Sequence, residues 1–133
     1  MAAQSAAAKG LLDRLQTGDV LLLRTRDAGA TFNSIATMST WSHAAVVIRV
    51  EDPSSVLWSL VARDYATSPS STPARGQLLL FEAVPRRGVS LFPLEARLAR
   101  THRHIRRLGV RRRQGPPLND AQRGLLESFI QVP

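Results

Sequence analysis

The 133-residue chain has the length of one domain, with 44% apolar residues, a formal net charge of +8 and no cysteine. The apolar fraction excludes a wholly disordered chain, and the lack of cysteine excludes a disulfide framework. No run approaches the roughly 20 apolar residues of a membrane span, and no signal-peptide core is seen, so we expect a soluble protein, cytoplasmic or otherwise intracellular.

The first half of the chain predicts one helix and two strands. Leucines recur on one helical face of residues 6–15, and Gly18 with Asp19 marks the turn that follows. Residues 28–40 are small and polar and predict a loop that holds a short helix. Residues 56–62 fit either a strand or a short helix. The two strands are expected at 20–24 (VLLLR) and 43–50 (HAAVVIRV), the latter rich in β-branched residues.

The second half predicts three closely spaced strands and two helices. Strands at 77–84 and 89–92 flank a turn, a helix follows from Pro93 to about Arg100, and residues 104–110 suit an edge strand. Asn119 caps a last amphipathic helix. Leu125, Leu126, Phe129 and Ile130 lie along one side of that helix. Together these elements predict an α+β fold, a small antiparallel β-sheet with flanking helices.

Two residues within the predicted strands are candidates for chemistry. His43 opens the more apolar strand, and alternation places it on one face with Trp41, Ala45 and Val47. A general base is usefully held at such a rim of a core, although a histidine hydrogen-bonded at a strand end has the same pattern. Alternation also directs the hydroxyl of Ser42 to the opposite face.

Glu82 interrupts the apolar row of the strand at 77–84. A carboxylate in that position is costly unless it is paired. An imidazole on a neighbouring strand is a natural partner, whose tautomer and orientation the carboxylate would fix. An arginine is the alternative partner, and arginine is abundant in this chain.

Four segments, in order, carry a family resemblance: TGDVLLLR, TWSHAAVVIRV, LLLFEAVPRRGVSLFPL and HIRRL before an amphipathic helix. They resemble the first part of a permuted papain-like cysteine hydrolase, one of the NlpC/P60-related amidases of the YiiX/YaeF type. The resemblance implies an N-terminal helix or extension at 1–17 and an incomplete hydrolase domain at 18–133. Residues 52–76, Ser/Pro-rich in their second half, then form an inserted loop.

The resemblance implies that His43 is the general base and that Glu82 orients it. The implied reaction is cleavage of an amide or acyl bond through a thioester, on cell-wall peptides or on acylated lipids and proteins. No cofactor is implied. The family's nucleophile is a cysteine at the start of a later helix, and this sequence has none. We therefore expect a truncated chain, inactive in isolation, whose cysteine segment lies beyond Pro133. The alternative is an inactive protein of the same fold that keeps the cleft for binding.

Arginine supplies all the positive charge except that of Lys9, and it is densest between residues 97 and 113. This run favours an exposed edge strand and loop, with a possible contact to an anionic membrane surface. It lacks the interleaved aromatic residues of single-strand binders, which disfavours nucleic acid, although a basic module binding nucleic acid or anionic lipid stays an alternative. The same crowding of cations disfavours a metal site at His102 and His104. The run comprises Arg97, Arg100, Arg103, Arg106, Arg107, Arg111, Arg112 and Arg113.

Overall fold

The chain forms an α+β fold in which helices pack on an open, five-stranded antiparallel sheet. The computed structural model describes residues 2–26, 40–52, 56–62, 74–84 and 87–131. The expected helix within 28–40 and the Ser/Pro-rich part of the proposed insertion therefore lie almost entirely outside the described residues. The elements are α1 (Ala2–Asp13), β1 (Val20–Thr25), β2 (His43–Arg49), a 3-10 helix (Val56–Leu60), β3 (Leu78–Val84), β4 (Gly88–Pro93), α2 (Leu94–Thr101), a 3-10 helix (His102–His104), β5 (Ile105–Arg111) and α3 (Asp120–Gln131).

The strand order is β4-β3-β2-β1-β5, with every neighbouring pair antiparallel. Strands β1 to β4 pair in sequence order as a meander, and β5 returns to pair with β1 at the open edge. The predicted edge position of the strand near residues 104–110 is therefore confirmed. In the described segments, no helix is long and apolar enough to cross a membrane.

The sheet buries a separate apolar cluster on each face because successive side chains of a strand point to opposite sides. The α1 face, which also carries α2, buries Leu21 and Leu23 of β1 together with Val47 of β2. Leu12 of α1 and Leu98 of α2 pack against that cluster. The opposite α3 face buries a second cluster, formed by Ile48, Val50, Leu57, Val61, Leu79 and Leu91.

The turn between α1 and β1 is fixed by a buried carboxylate. Asp19 is 3% exposed, and its two oxygens accept the backbone amides of Gln16 at 2.9 Å and Arg113 at 2.8 Å. Gly18 adopts a φ of +96°, which favours glycine, and its amide donates to the carbonyl of Val47. The Gly-Asp pair is therefore a structural corner that joins the start of β1 to β2 and to the segment after β5.

The last helix departs from the sequence prediction on its apolar side. The predicted cap is confirmed, because Asn119 Oδ1 accepts the amide of Gln122 and the Gln122 side chain accepts the amide of Asn119. Only Ile130 packs against the buried cluster, whereas Leu125 and Phe129 are 73% and 67% exposed. The four residues lie on one side of the helix, as predicted, but only the part of that side that carries Ile130 meets the sheet, and the part that carries Leu125 and Phe129 faces solvent.

Candidate functional site

The start of β2 is held in place by the residue that precedes His43. The amide of Ser42 donates to the carbonyl of Leu23 at 2.9 Å. Its hydroxyl also contacts that carbonyl at 3.2 Å and accepts the amide of Thr25 at 3.1 Å. The hydroxyl is thus engaged with the β1 backbone, and Ser42 fixes the end of the β1–β2 pairing where His43 begins the strand.

The structure brings the two predicted site residues into direct contact. The β2–β3 register places Val47 opposite Leu80, so His43 and Glu82 lie one diagonal step apart on the α1 face. His43 Nε2 is 2.6 Å from Glu82 Oε2. The carboxylate is fully buried, whereas the imidazole is 24% exposed. The histidine at the rim of the core is therefore one of the two partners that the sequence left open for Glu82.

Arg97 of α2 is a third member of the site. Its Nε lies 2.5 Å from Glu82 Oε1, and its guanidinium carbon is 4.9 Å from the centroid of the Phe92 ring. Both partners proposed for Glu82, an imidazole and an arginine, are therefore present, one on each carboxylate oxygen. The sequence analysis counted Arg97 in the exposed basic run, and the exposure expected for this residue was wrong, because its side chain is only 18% exposed and is bound to Glu82.

These contacts set the protonation of Glu82. Burial raises the pKa of the Glu82 carboxyl, but the hydrogen bond with His43 and the charge of Arg97 more than offset it. The net pKa therefore lies below the ordinary value of 4.5. The carboxylate is ionised at neutral pH and accepts two hydrogen bonds. It does not act as a proton donor.

An ionised Glu82 determines the tautomer of His43. A carboxylate can only accept, so the ring nitrogen that faces it, Nε2, carries a proton. In the neutral imidazole the lone pair then lies on Nδ1, for which the described residues offer no hydrogen-bond partner. Nδ1 is consequently the atom of this site that can accept a proton from another group.

Trp41 does not share the face of His43, contrary to the expectation from alternation. A Cβ built on Gly109 would lie 2.7 Å from Cη2 of Trp41. Gly109 pairs with Leu22, whose side chain is on the α3 face. The indole therefore lies on the α3 face. Alternation fails here because β2 begins only at His43.

The described histidines and acidic residues form no group of three that could hold a metal ion. His102 and His104 are both exposed, and His102 Nδ1 lies 2.8 Å from the carbonyl of Ala99. They belong to the 3-10 helix before β5 and do not join His43. The remaining arginines of the basic run (Arg100, Arg103, Arg106, Arg107, Arg111, Arg112 and Arg113) are exposed.

A groove of about 1020 Å³ lies between α1 and α2 on the α1 face. His43 and Glu82 do not line it. The charged, polar and histidine residues of its lining are Lys9, Asp13, Arg49, Arg75, Gln77, Glu95 and His102. Its aliphatic lining is formed by Leu12, Leu78, Leu94, Leu98, Ile105 and Leu108.

No protein-family model matches the chain, and no curated protein sequence matches it at a significant level. A proposal for the function therefore rests on the geometry of His43, Glu82 and Arg97.

Proposed function

We propose that this chain supplies the general base and its orienting carboxylate to a cysteine-dependent hydrolase whose thiol lies outside these 133 residues. The proposal rests on the 2.6 Å contact between His43 Nε2 and a fully buried, ionised Glu82. This contact leaves Nδ1 with a lone pair at the partly exposed edge of the ring. The resemblance of the sequence segments to permuted papain-like hydrolases supplies the reaction class. The fold alone would not supply it, because one fold hosts many functions.

The proposed reaction uses His43 twice. Nδ1 takes the proton of a cysteine thiol as the sulfur attacks the carbonyl carbon of an amide or ester. The imidazolium then gives that proton to the leaving amine or alcohol, and a thioester remains. In the second half, Nδ1 takes a proton from water, which attacks the thioester, and the proton returns to the thiolate as the acid leaves.

Glu82 and Arg97 have positioning roles in this scheme. The buried carboxylate keeps Nε2 protonated and stabilises the imidazolium that forms at each transfer. Arg97 compensates the burial of that carboxylate and lowers its pKa, so Glu82 accepts a hydrogen bond and never competes for the transferred proton.

The test is to read the gene on both sides of the 133 codons and to express the whole product. We expect a cysteine that iodoacetamide alkylates faster than a free thiol at neutral pH. His43→Ala should abolish this excess reactivity and Glu82→Gln should reduce it. His102→Ala, a control at an exposed histidine, should leave the rate unchanged. A reading frame without cysteine, or a cysteine alkylated equally in the His43→Ala and unchanged proteins, overturns the proposal.

The groove between α1 and α2 favours a second candidate, a catalytically inactive protein of the same fold that binds an acylated ligand. Its volume of about 1020 Å³ is at the upper end for ligand sites, and six aliphatic residues line it. A fluorescent fatty acid should then bind the 133-residue chain saturably. Leu98→Glu, which places a charge among these aliphatic residues, should abolish this binding. No saturable binding, or equal binding by that variant, contradicts the second candidate.

A further inference from the structure

Strand β5 leaves one edge of the sheet open among the described residues. The sheet ends at β4 on one side and at β5 on the other. The β4 edge is partly covered, because Val61 bridges to Leu91 and the amide of Ala62 donates to the carbonyl of Leu91. Strand β5 pairs with β1 on its inner side, and no described segment pairs with its outer side. We call the outer side of Ile105–Arg111 the β5 edge.

The hydrogen bonds of β1 show which backbone groups of β5 point outward. In an antiparallel sheet, successive residues of a strand direct their amide and carbonyl groups alternately to one neighbour and to the other. The carbonyl of Leu23 accepts an amide on the β2 side, so the groups of Leu22 point to β5. Leu22 pairs with Gly109, whose groups therefore point back to β1. Those of Leu108 and Val110 consequently point outward, and the described residues offer them no partner.

The side chains of β5 differ between the two faces of the sheet. Leu108 and Val110 are half-buried and pack against the apolar cluster on the α1 face. Arg107 and Arg111 alternate with them on the α3 face and are exposed. Arg107 also lies directly opposite Arg24 of β1, and like charges in such positions destabilise a sheet. None of these three arginines forms an ion pair with a described residue.

We propose that the β5 edge binds an extended acidic segment of a partner protein as an added antiparallel strand. The segment exchanges backbone hydrogen bonds with Leu108 and Val110, and its residues opposite them extend the apolar α1 face. Its residues opposite Arg107 and Arg111 lie on the α3 face, with Cβ atoms about 5 Å from those of the arginines, and carboxylates there pair with the guanidinium groups. The edge therefore selects the order acidic, aliphatic, any residue, aliphatic, acidic.

A second copy of β5 is a poorer occupant of this edge. An antiparallel pair that joins Leu108 to Val110 of the second copy is centred on Gly109. It places Arg107 opposite Arg111 of the second copy, and like charges directly opposite each other are destabilising. Each chain also carries a formal net charge of +8. The charge at this edge therefore favours an acidic partner over self-association.

The test measures fluorescence anisotropy of a labelled peptide, Ser-Glu-Val-Thr-Val-Glu-Ser, as the 133-residue chain is added. Arg107→Glu/Arg111→Glu should weaken the binding at least about tenfold, because two attractive cross-strand pairs become repulsive. The same variant should bind Ser-Lys-Val-Thr-Val-Lys-Ser more tightly than the unchanged protein does. Arg14→Glu/Arg75→Glu makes the same change in net charge at exposed positions elsewhere and should keep most of the affinity.

Methylated peptides test the backbone hydrogen bonds without changing the protein. The amides of the two valines point to β5 in this register, whereas the amide of the threonine points away. N-methylation of both valines should abolish binding, and N-methylation of the threonine should largely keep it. Bound peptide should also slow hydrogen exchange at the amides of Leu108 and Val110 but not at Gly109, which already donates to β1.

Four results overturn the proposal. They are the absence of saturable peptide binding at low salt, an equal loss in the control variant, equal binding of the valine-methylated peptide, and unchanged exchange at Leu108 and Val110. A dimeric chain that Val110→Pro makes monomeric overturns it as well, because a second copy then covers the edge. Binding to an oligonucleotide or to phosphatidylserine vesicles without binding to the peptide has the same consequence.

Discussion

Glu82→Gln tests how the candidate site is held, because it keeps the shape of the side chain and removes its charge. The fully buried carboxylate contacts both Arg97 and His43, and the Arg97 side chain is 18% exposed. Removal of one partner of a buried ion pair typically costs about 3–5 kcal/mol. Since Arg97 keeps some access to water, we expect the lower end, a loss of about 3 kcal/mol of unfolding free energy at pH 7.

The loss should depend on pH with a definite sign. The folded-state pKa of Glu82 lies below its ordinary value of 4.5. The ionised group therefore contributes stability above pH 4.5, and this contribution disappears as the pH falls through the folded pKa. One proton taken up on unfolding gives a slope of at most about 1.4 kcal/mol per pH unit. The difference between the unchanged protein and Glu82→Gln should therefore shrink below pH 4.5.

Urea unfolding followed by tryptophan fluorescence at pH 7, 5, 4 and 3 measures both effects. Glu95→Gln on the same helix as Arg97 is the matched control, because Glu95 is exposed and should change stability by less than about 0.5 kcal/mol. Adding Arg97→Met to Glu82→Gln should restore part of the loss, because it removes the partly buried cation that no longer has the Glu82 charge beside it. A difference that stays constant from pH 7 to pH 3 would refute the reasoning.

Three further substitutions test the elements that position the site. Ser42→Ala removes the hydroxyl that accepts the amide of Thr25 and should cost about 1–3 kcal/mol, with faster hydrogen exchange at Thr25 but not at Leu79. Gly109→Ala places a methyl group 2.7 Å from Trp41 and should cost about 1–3 kcal/mol of unfolding free energy in thermal or urea unfolding. If adding Trp41→Leu does not reduce that cost, the packing of Trp41 over Gly109 is contradicted. In Asp19→Asn the side chain can accept only one of the two amides, so the substitution should cost about 1–3 kcal/mol of unfolding free energy in urea. Asp13→Asn is the control at an exposed position, and an equal cost there would contradict the role given to Asp19.

Much of the fold could be predicted from the sequence because its strands carry short, strongly β-forming runs between clear turns. The strands β1 to β5 and the helices α1 to α3 all fall where these patterns place them, with ends shifted by a few residues. The ambiguous segment 56–62 is a 3-10 helix followed by a single parallel bridge from Val61 to Leu91. Local pattern could not decide that segment, since Leu57 and Val61 are buried by tertiary packing alone.

The contact between His43 and Glu82 could be predicted in kind, because a carboxylate within an apolar row requires a partner on a neighbouring strand. The choice among arginines could not be predicted, since α2 and the segments around β5 contain many of them. Arg97 is selected because it lies between Leu94 and Leu98, which dock α2 on the α1 face over β3. Helical periodicity could have identified Arg97, by showing which arginine lies on the same side of the helix as the apolar residues.

Trp41 and His43 show how the fold separates two neighbours in sequence. Ser42, between them, ties its amide and hydroxyl to β1, so the regular strand begins at His43 and Trp41 is released from alternation. His43 then points to the α1 face toward Glu82, while the indole lies over Gly109 on the opposite face. A change at Ser42 should therefore disturb both the contact of His43 with Glu82 and the packing of Trp41 over Gly109. Changes at Glu82 or Gly109 should each disturb one face alone, because the sheet separates them.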